Sequence, residues 1–291
     1  MSSRQTVIKV GPGDTTLRAR LLGARLREKR EAAGMKLVAA ATLNKRRPAT
    51  LSRWETGERL PHPSELFYAL EVYGVRGAER DALMRIAQEA HERKDSPDVV
   101  SAAVADYDWL LRSACRLEYF SDTAPPGLLQ TPDYAREVLK TWDPAASRER
   151  IERTLAARMA RQERLAGEDA IGVCVVLGEG VLRCVVGGPE VMRAQLRHLL
   201  DCAALPAVEL RVVPFAAGAH PGFAGPFTIL RFPDGRALAH VVTRAGDIYA
   251  EDAEPFAQAL RRIKRMALSQ RESVAMIAAL TKAMRRSEAM A

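Results

Sequence analysis

Apolar positions along the first third of the chain recur at helical spacing. Over residues 17–33, Leu22 and Leu26 fall on one face with Arg30 one turn further on, and Gly34 stands where such a helix stops. A second, short helix is predicted from Leu37, with Ala40 and Ala41 turned inward. A third is predicted over residues 48–57. Pro48 can open it because a first-turn residue needs no backbone donor, and Leu51 and Trp54 form its inner face. Residues 60–63 read as an extended loop, and helices over 65–73 and 78–90 follow, separated by Gly74 and Gly77. The polar run 91–99 reads as a linker, which puts the domain boundary between 94 and 95.

Beyond it the period alternates. Helical stretches at 102–116, 132–141, 148–166, 189–203, 254–269 and 271–285 are interleaved with β-like runs at 171–177, 208–213, 227–232 and 238–242. The expected architecture is an all-α N-terminal domain of five helices, residues 1–94, followed by an α+β C-terminal domain, residues 95–291.

A length of 291 residues suits two domains of ordinary size. There is no apolar run long enough to span a bilayer and no apolar leader near Met1, so the expected location is the cytoplasm. The net charge of +8 sharpens the picture once it is located. Residues 1–94 hold 19 Lys and Arg against 11 Asp and Glu, whereas the remainder holds 25 of each. A basic module fused to a neutral one fits a domain that binds a polyanion and a separate effector domain, although basic faces are often only solvated.

Other chemistry is sparse. Cys115, Cys174, Cys184 and Cys202 form no CxxC pair and read as structural; the five histidines show no ligand spacing. No metal, no cofactor and no catalytic residue is therefore assigned. Glu118, Glu163, Glu179 and Arg161 invite an acid/base reading, but nothing in the sequence brings them together and surface ion pairs are the plainer account.

The residues that carry function lie between Leu22 and Gly57. Two short helices crossing steeply need small residues at the crossing and an exposed helix to enter the major groove. Lys45, Arg46 and Arg47 put three cations at the turn, Pro48, Ala49 and Thr50 open the third helix, and Arg53 faces outward. Phosphates would meet that cluster first.

REKREAAGM followed by TLSRWETGERLP, within residues 17–92, resembles the Xre-like helix-turn-helix regulators. That resemblance makes the first domain a helix-turn-helix module for double-stranded DNA, and implies an ion pair between Arg30 of helix one and Glu55 at the end of helix three. It also implies that Pro48, Ala49 and Arg53 occupy base-reading positions. Only Arg53 can make a bidentate contact to guanine. Where the resemblance expects a turn glycine stands Lys45, and because asparagine tolerates the left-handed conformation, Asn44 is expected to take over the glycine's role.

In the second domain YFSDTAPPGLLQTPDYAREVL, RMARQERL, MRAQLRHLL and VELRVVPFAAGAHPGFAGPFTILRFPDG resemble the C-terminal domain of actinobacterial WhiJ-like regulators. That resemblance implies an antitoxin-like protein working with a small partner encoded beside it. Physically, PPGLLQTPDY is an elbow feeding a helix for which Thr131 is a good N-cap, and GAHPGFAGPF is either a tight connection or a cleft rim. The apolar stripe Ile263, Met266, Ala267, Val274, Ile277, Ala278 and Met284 is expected to serve a protein interface, with packing on its own domain as the alternative.

The expected function is a sequence-specific DNA-binding transcriptional regulator, nucleoid-associated and homodimeric, whose C-terminal domain binds a small partner protein or an unidentified small-molecule ligand, with no membrane involvement and no catalysis. The alternatives are an antitoxin-like protein that acts by sequestering its partner, and an enzyme domain fused to an autoregulatory helix-turn-helix.

Overall fold

A computed structural model describes residues 17–92, 100–101, 107–167, 170–244 and 246–288. The chain falls into two compact units, residues 1–105 and 106–291. The boundary expected at 94/95 lies outside the described residues, as do most of the expected linker and the start of the helix expected from 102.

In the first unit the helices are α1 (Leu17–Ala32), α2 (Leu37–Leu43), α3 (Pro48–Glu55), α4 (Pro63–Val72) and α5 (Gly77–Glu92). Helix α1 packs on α3 and α5, α2 packs on α3, and α4 packs on α5. Leu22, Leu26, Ala40, Ala41, Leu51, Trp54, Leu66 and Leu70 are all buried. Each such leucine contributes about 1.5 to 3 kcal/mol by leaving water. The approach of α1 to α3 depends on two glycines. A side chain at Gly23 would strike the Trp54 and Glu55 carbonyls, and one at Gly57, whose φ is 75°, would strike the backbone of Ala19 and Arg20.

The turn between α2 and α3 corrects the expectation for Asn44. Asn44 keeps φ −78° and is held by its own side chain, whose Nδ2 donates to the Ala40 carbonyl at 2.8 Å. The left-handed residue is Lys45, at φ 53°. With Lys45 N–H bonded to the Thr42 carbonyl and Arg46 N–H to the Ala41 carbonyl, the helix ends in a Schellman turn with lysine where glycine is usual. Asn44 is anchored too deeply to swing into the left-handed conformation, so the next residue takes it.

Residues 100–101 form a two-residue strand, β1. The second unit contains α6 (Tyr107–Ser113), β2 (Arg116–Ser121), α7 (Pro132–Trp142), α8 (Arg148–Ala160), β3 (Gly172–Gly178), α9 (Glu179–Arg183), α10 (Pro189–Ala203), β4 (Val208–Val213), β5 (Phe227–Arg231), β6 (Ala237–Thr243), β7 (Gly246–Ala250), α11 (Glu254–Met266) and α12 (Gln270–Glu288). Its strands lie in the order β7-β6-β5-β2-β3-β4. β2, β3 and β4 run parallel, with Leu117 beside Val173 and Val173 beside Val208, while β5, β6 and β7 are antiparallel. The α+β expectation holds, but the strand β2 and the short helix α9 were not expected, and the helix expected to reach 116 ends at Ser113. The helix expected to run from 148 to 166 stops at Ala160 and tightens into a 3-10 turn over Arg161–Leu165.

The last two helices belong to the core. Ala257, Leu260 and Ile263 of α11 pack with Phe120, Val176, Val213, Phe227 and Ile229 of the sheet. Helix α12 packs on α10 and β4 and buries Ile277 completely. The C-terminal stripe is thus occupied within its own unit at Ile263 and Ile277, which overturns its expected use as a free interface there. The joint between α11 and α12 also covers the outer strand: Leu268 N–H donates to the Val212 carbonyl at 2.8 Å, and Val212 N–H donates to Ser273 Oγ at 3.0 Å.

Candidate nucleic-acid interface

Helix α3 turns Leu51 and Trp54 into the core and leaves Arg53 exposed. Arg47 precedes it in extended conformation, and Pro48 occupies its first turn. Lys45, Arg46, Arg47, Pro48 and Ala49 are exposed and Thr50 is half-buried, so the seven residues expected to meet DNA form a continuous segment plus Arg53 one turn on. Among the described residues Lys45, Arg47 and Arg53 have no carboxylate partner.

Arg46 differs. Its guanidinium holds Glu65, with Nη2 at 2.8 Å and Nε at 3.0 Å from Oε1. Glu65 also accepts from the His62 N–H at 2.8 Å, closing a capping box on α4. Burial works against its ionisation, yet the bonds from His62 and Arg46 leave its pKa below the usual carboxylate range. Arg46 therefore links the turn to α4, a role the sequence did not reveal because its partner is 19 residues away.

The end of α3 is fixed from below. Arg30 donates from Nε to Glu55 Oε1 at 2.6 Å and from Nη2 to Oε2 at 2.9 Å, and its Nη1 donates to the Met35 carbonyl at 2.7 Å. Both side chains of the pair are 8% exposed. The hydrogen bond to Glu55 raises the Arg30 pKa despite burial. Tyr73 closes the pocket, its phenol pushed up to about 12 by burial and by the Glu55 charge. One guanidinium thus joins the end of α1, the turn that follows it and the end of α3. The Met35 carbonyl gives the sequence no signal, since any residue supplies one.

In the second unit Glu118 and Glu179, two of the residues that invite an acid/base reading, hold separate partners. Glu118 pairs with Arg116 and Arg231, and the buried Glu179 accepts from Arg183 at 2.7 Å and from Phe215 N–H at 2.8 Å. Each has its own structural partners, and Glu163 is exposed. Cys174 and Cys202 are buried, with thiols pushed up to about 11 by burial, while Cys115 and Cys184 are exposed and all four are free. Among the described residues no group of three or more His, Cys, Asp or Glu is placed to hold a metal ion. No described helix is long and apolar enough to cross a membrane. A 3-10 turn just before the GAHPGFAGPF loop and another within it leave Phe215 and Phe223 65% and 71% exposed, while Gly222 lies against the Phe120 ring.

Comparison with known families agrees with this division. Residues 21–83 match a helix-turn-helix domain, the module by which regulators bind DNA, and residues 104–279 match a domain of unknown function (DUF5753). No curated protein and no solved structure matches the chain. With more than half of its length in that second match, the chain belongs to the DUF5753 family, carrying a helix-turn-helix domain ahead of the domain that defines it.

Proposed function

We propose that this protein is a sequence-specific, homodimeric DNA-binding regulator whose second unit binds a small partner protein or ligand and does no chemistry of its own. The observation that carries the DNA-binding half is the exposed helix α3, which presents Arg53, Arg47 and Lys45 without carboxylate partners among the described residues and is locked to α1 by Arg30 and Glu55. Arg53 reads a base edge in the major groove, and Lys45 and Arg47 neutralise flanking phosphates. A recognition helix of eight residues spans few base pairs, so a two-fold dimer on a palindromic site supplies the rest.

The resemblance to WhiJ-like regulators supports a small protein partner for the second unit, and the exposed Phe215 and Phe223 give that unit an adhesive surface. The test of the DNA half is to map binding sites across the source genome with the full chain and with Arg53→Ala. Enrichment of one palindromic sequence, lost in the variant, is the expected result. Equal occupancy by both proteins, without a shared sequence, defeats the reading.

A further inference from the structure

We propose that Arg158 anchors a binding site in the second unit for an oxyanion group, phosphate or carboxylate, carried by a small molecule. This deepens the ligand half of the proposed function and is independent of the DNA-binding half. The site is built on the elbow between β2 and α7. Arg158, in the last turn of α8, lies across Gly127: a side chain there would come within 3.1 to 3.3 Å of the arginine's Cδ, Cγ and Nε. Its Nη1 donates to Gln130 Oε1 at 2.7 Å, and Gln130 is 3% exposed.

The backbone carbonyls of the elbow take their donors from neutral side chains. Gln130 Nε2 donates to the Pro125 carbonyl at 2.8 Å, and Gln162 Nε2 donates to the carbonyls of Gly127 and Gln130 at 3.2 and 2.6 Å. Gln195, fully buried on α10, donates to the Leu129 carbonyl at 2.6 Å and accepts from Thr131 N–H at 2.8 Å. Neutral amides therefore satisfy the backbone groups of the turn, and only Gln130 Oε1 takes its donor from Arg158, a bond that a glutamine at 158 can also offer.

Arg158 stands out against this neutral frame. Among the described residues no carboxylate pairs with it, whereas Arg183 and Arg231 of the same unit each hold a glutamate. Its ionisable neighbours are Arg161, Tyr107 and Tyr119, and the Arg161 guanidinium sits 5.3 Å over the Tyr107 ring. Burial, and then the like charge of Arg161, pull the Arg158 pKa below its ordinary value. A half-buried guanidinium beside a second cation, with one neutral acceptor, is an incompletely satisfied arrangement. It becomes favourable when an oxyanion engages the remaining donors, a match that the planar fork makes in bidentate fashion.

The test is thermal unfolding of the full chain in inorganic phosphate, or in acetate, against chloride at equal ionic strength. At about ten times the dissociation constant the expected rise is about 3 °C. The larger of the phosphate and acetate responses identifies the group. Arg158→Gln should remove the response and leave the anion-free protein at least as stable as the parent, with unchanged DNA binding. Arg158→Lys, which keeps the charge without the fork, should respond more weakly. Arg47→Ala should respond like the parent, which separates this site from the basic face of the first unit. Absence of any anion response in the parent, its survival in Arg158→Gln, or failure of Arg158→Gln to fold would each overturn the proposal.

Discussion

Arg30 and Glu55 meet through two hydrogen bonds, at 2.6 and 2.9 Å, from positions 25 residues apart, and so tie the end of the recognition helix to the end of α1. Glu55→Ala leaves the guanidinium buried with only the Met35 carbonyl and a peripheral bond to Glu31. The expected loss is about 3 to 5 kcal/mol of first-unit stability, with loss of DNA binding on every sequence alike. Glu55→Gln should lose less, because an amide keeps one acceptor. Denaturant unfolding followed by circular dichroism decides it, and a loss under about 1 kcal/mol for Glu55→Ala would show the pair to be dispensable.

The three arginines of the interface should separate by salt dependence. Arg53→Ala should cost about 1 to 3 kcal/mol on the preferred site and relax its sequence preference. Arg47→Ala should weaken all sequences nearly equally and lower the salt slope by about 0.9 for each phosphate left without its cation. Arg46→Ala should change the slope less, because its guanidinium is already engaged by Glu65. Binding titrations across a salt series measure all three, and identical slopes for Arg46→Ala and Arg47→Ala would contradict the distinction.

Alkaline conditions should loosen the first unit through Tyr73. Its phenol is raised from 10.0 to about 12 in the fold, so between those values the unfolded chain has released a proton that the folded chain retains. Stability from this group is complete below pH 10.0 and is lost as pH rises through about 12. Tyr73→Phe should flatten this decline for the helical transition. An unchanged alkaline profile in the variant would remove Tyr73 as its source.

Truncation after Leu268 removes α12, and with it the fully buried Ile277 and the Ser273 hydroxyl that accepts from Val212 N–H. The shortened chain should lose the cooperative unfolding of its second unit and expose strand β4 to pairing with other chains. Calorimetry and light scattering test this. A truncated protein that melts like the parent and stays monodisperse would mean that α12 is peripheral.

Much of this was legible in the sequence because it is local. The five helices of the first unit follow from 3.6-residue periodicity and from Gly34, Pro48 and Gly57 as punctuation, all within one window of the chain. Arg46 and its partner Glu65 were not legible, nor was Gln195 reaching the elbow from 64 residues downstream, since these partners are set by tertiary packing. Strand β2 was hidden for a related reason. In RLEYFS the charges of Arg116 and Glu118 break the apolar run expected of a central strand, and they are tolerated there because Glu118 holds both Arg116 and Arg231. β7, GDIYA, opens on glycine and aspartate, which strands disfavour, whereas β5, of the same length, is an apolar run and was read. The elbow's identity as a buried turn was readable from its prolines and Thr131, whereas the arginine lying across it came from a helix that the sequence drew as six residues longer than it is.

Lys45 is where the interests of the fold and of the interface diverge. Its left-handed backbone is strained for any residue with a side chain, by about 1 to 2 kcal/mol, and glycine would adopt it freely. A chain optimised for stability alone would place glycine there. Lysine keeps a cation at the mouth of the recognition helix, on a backbone that the Schellman bonds hold in one conformation, so only the side chain remains to be ordered when a phosphate arrives. Lys45→Gly should therefore yield a more stable and weaker DNA binder: the strain in the turn is the counterpart of a positive charge kept where the recognition helix begins.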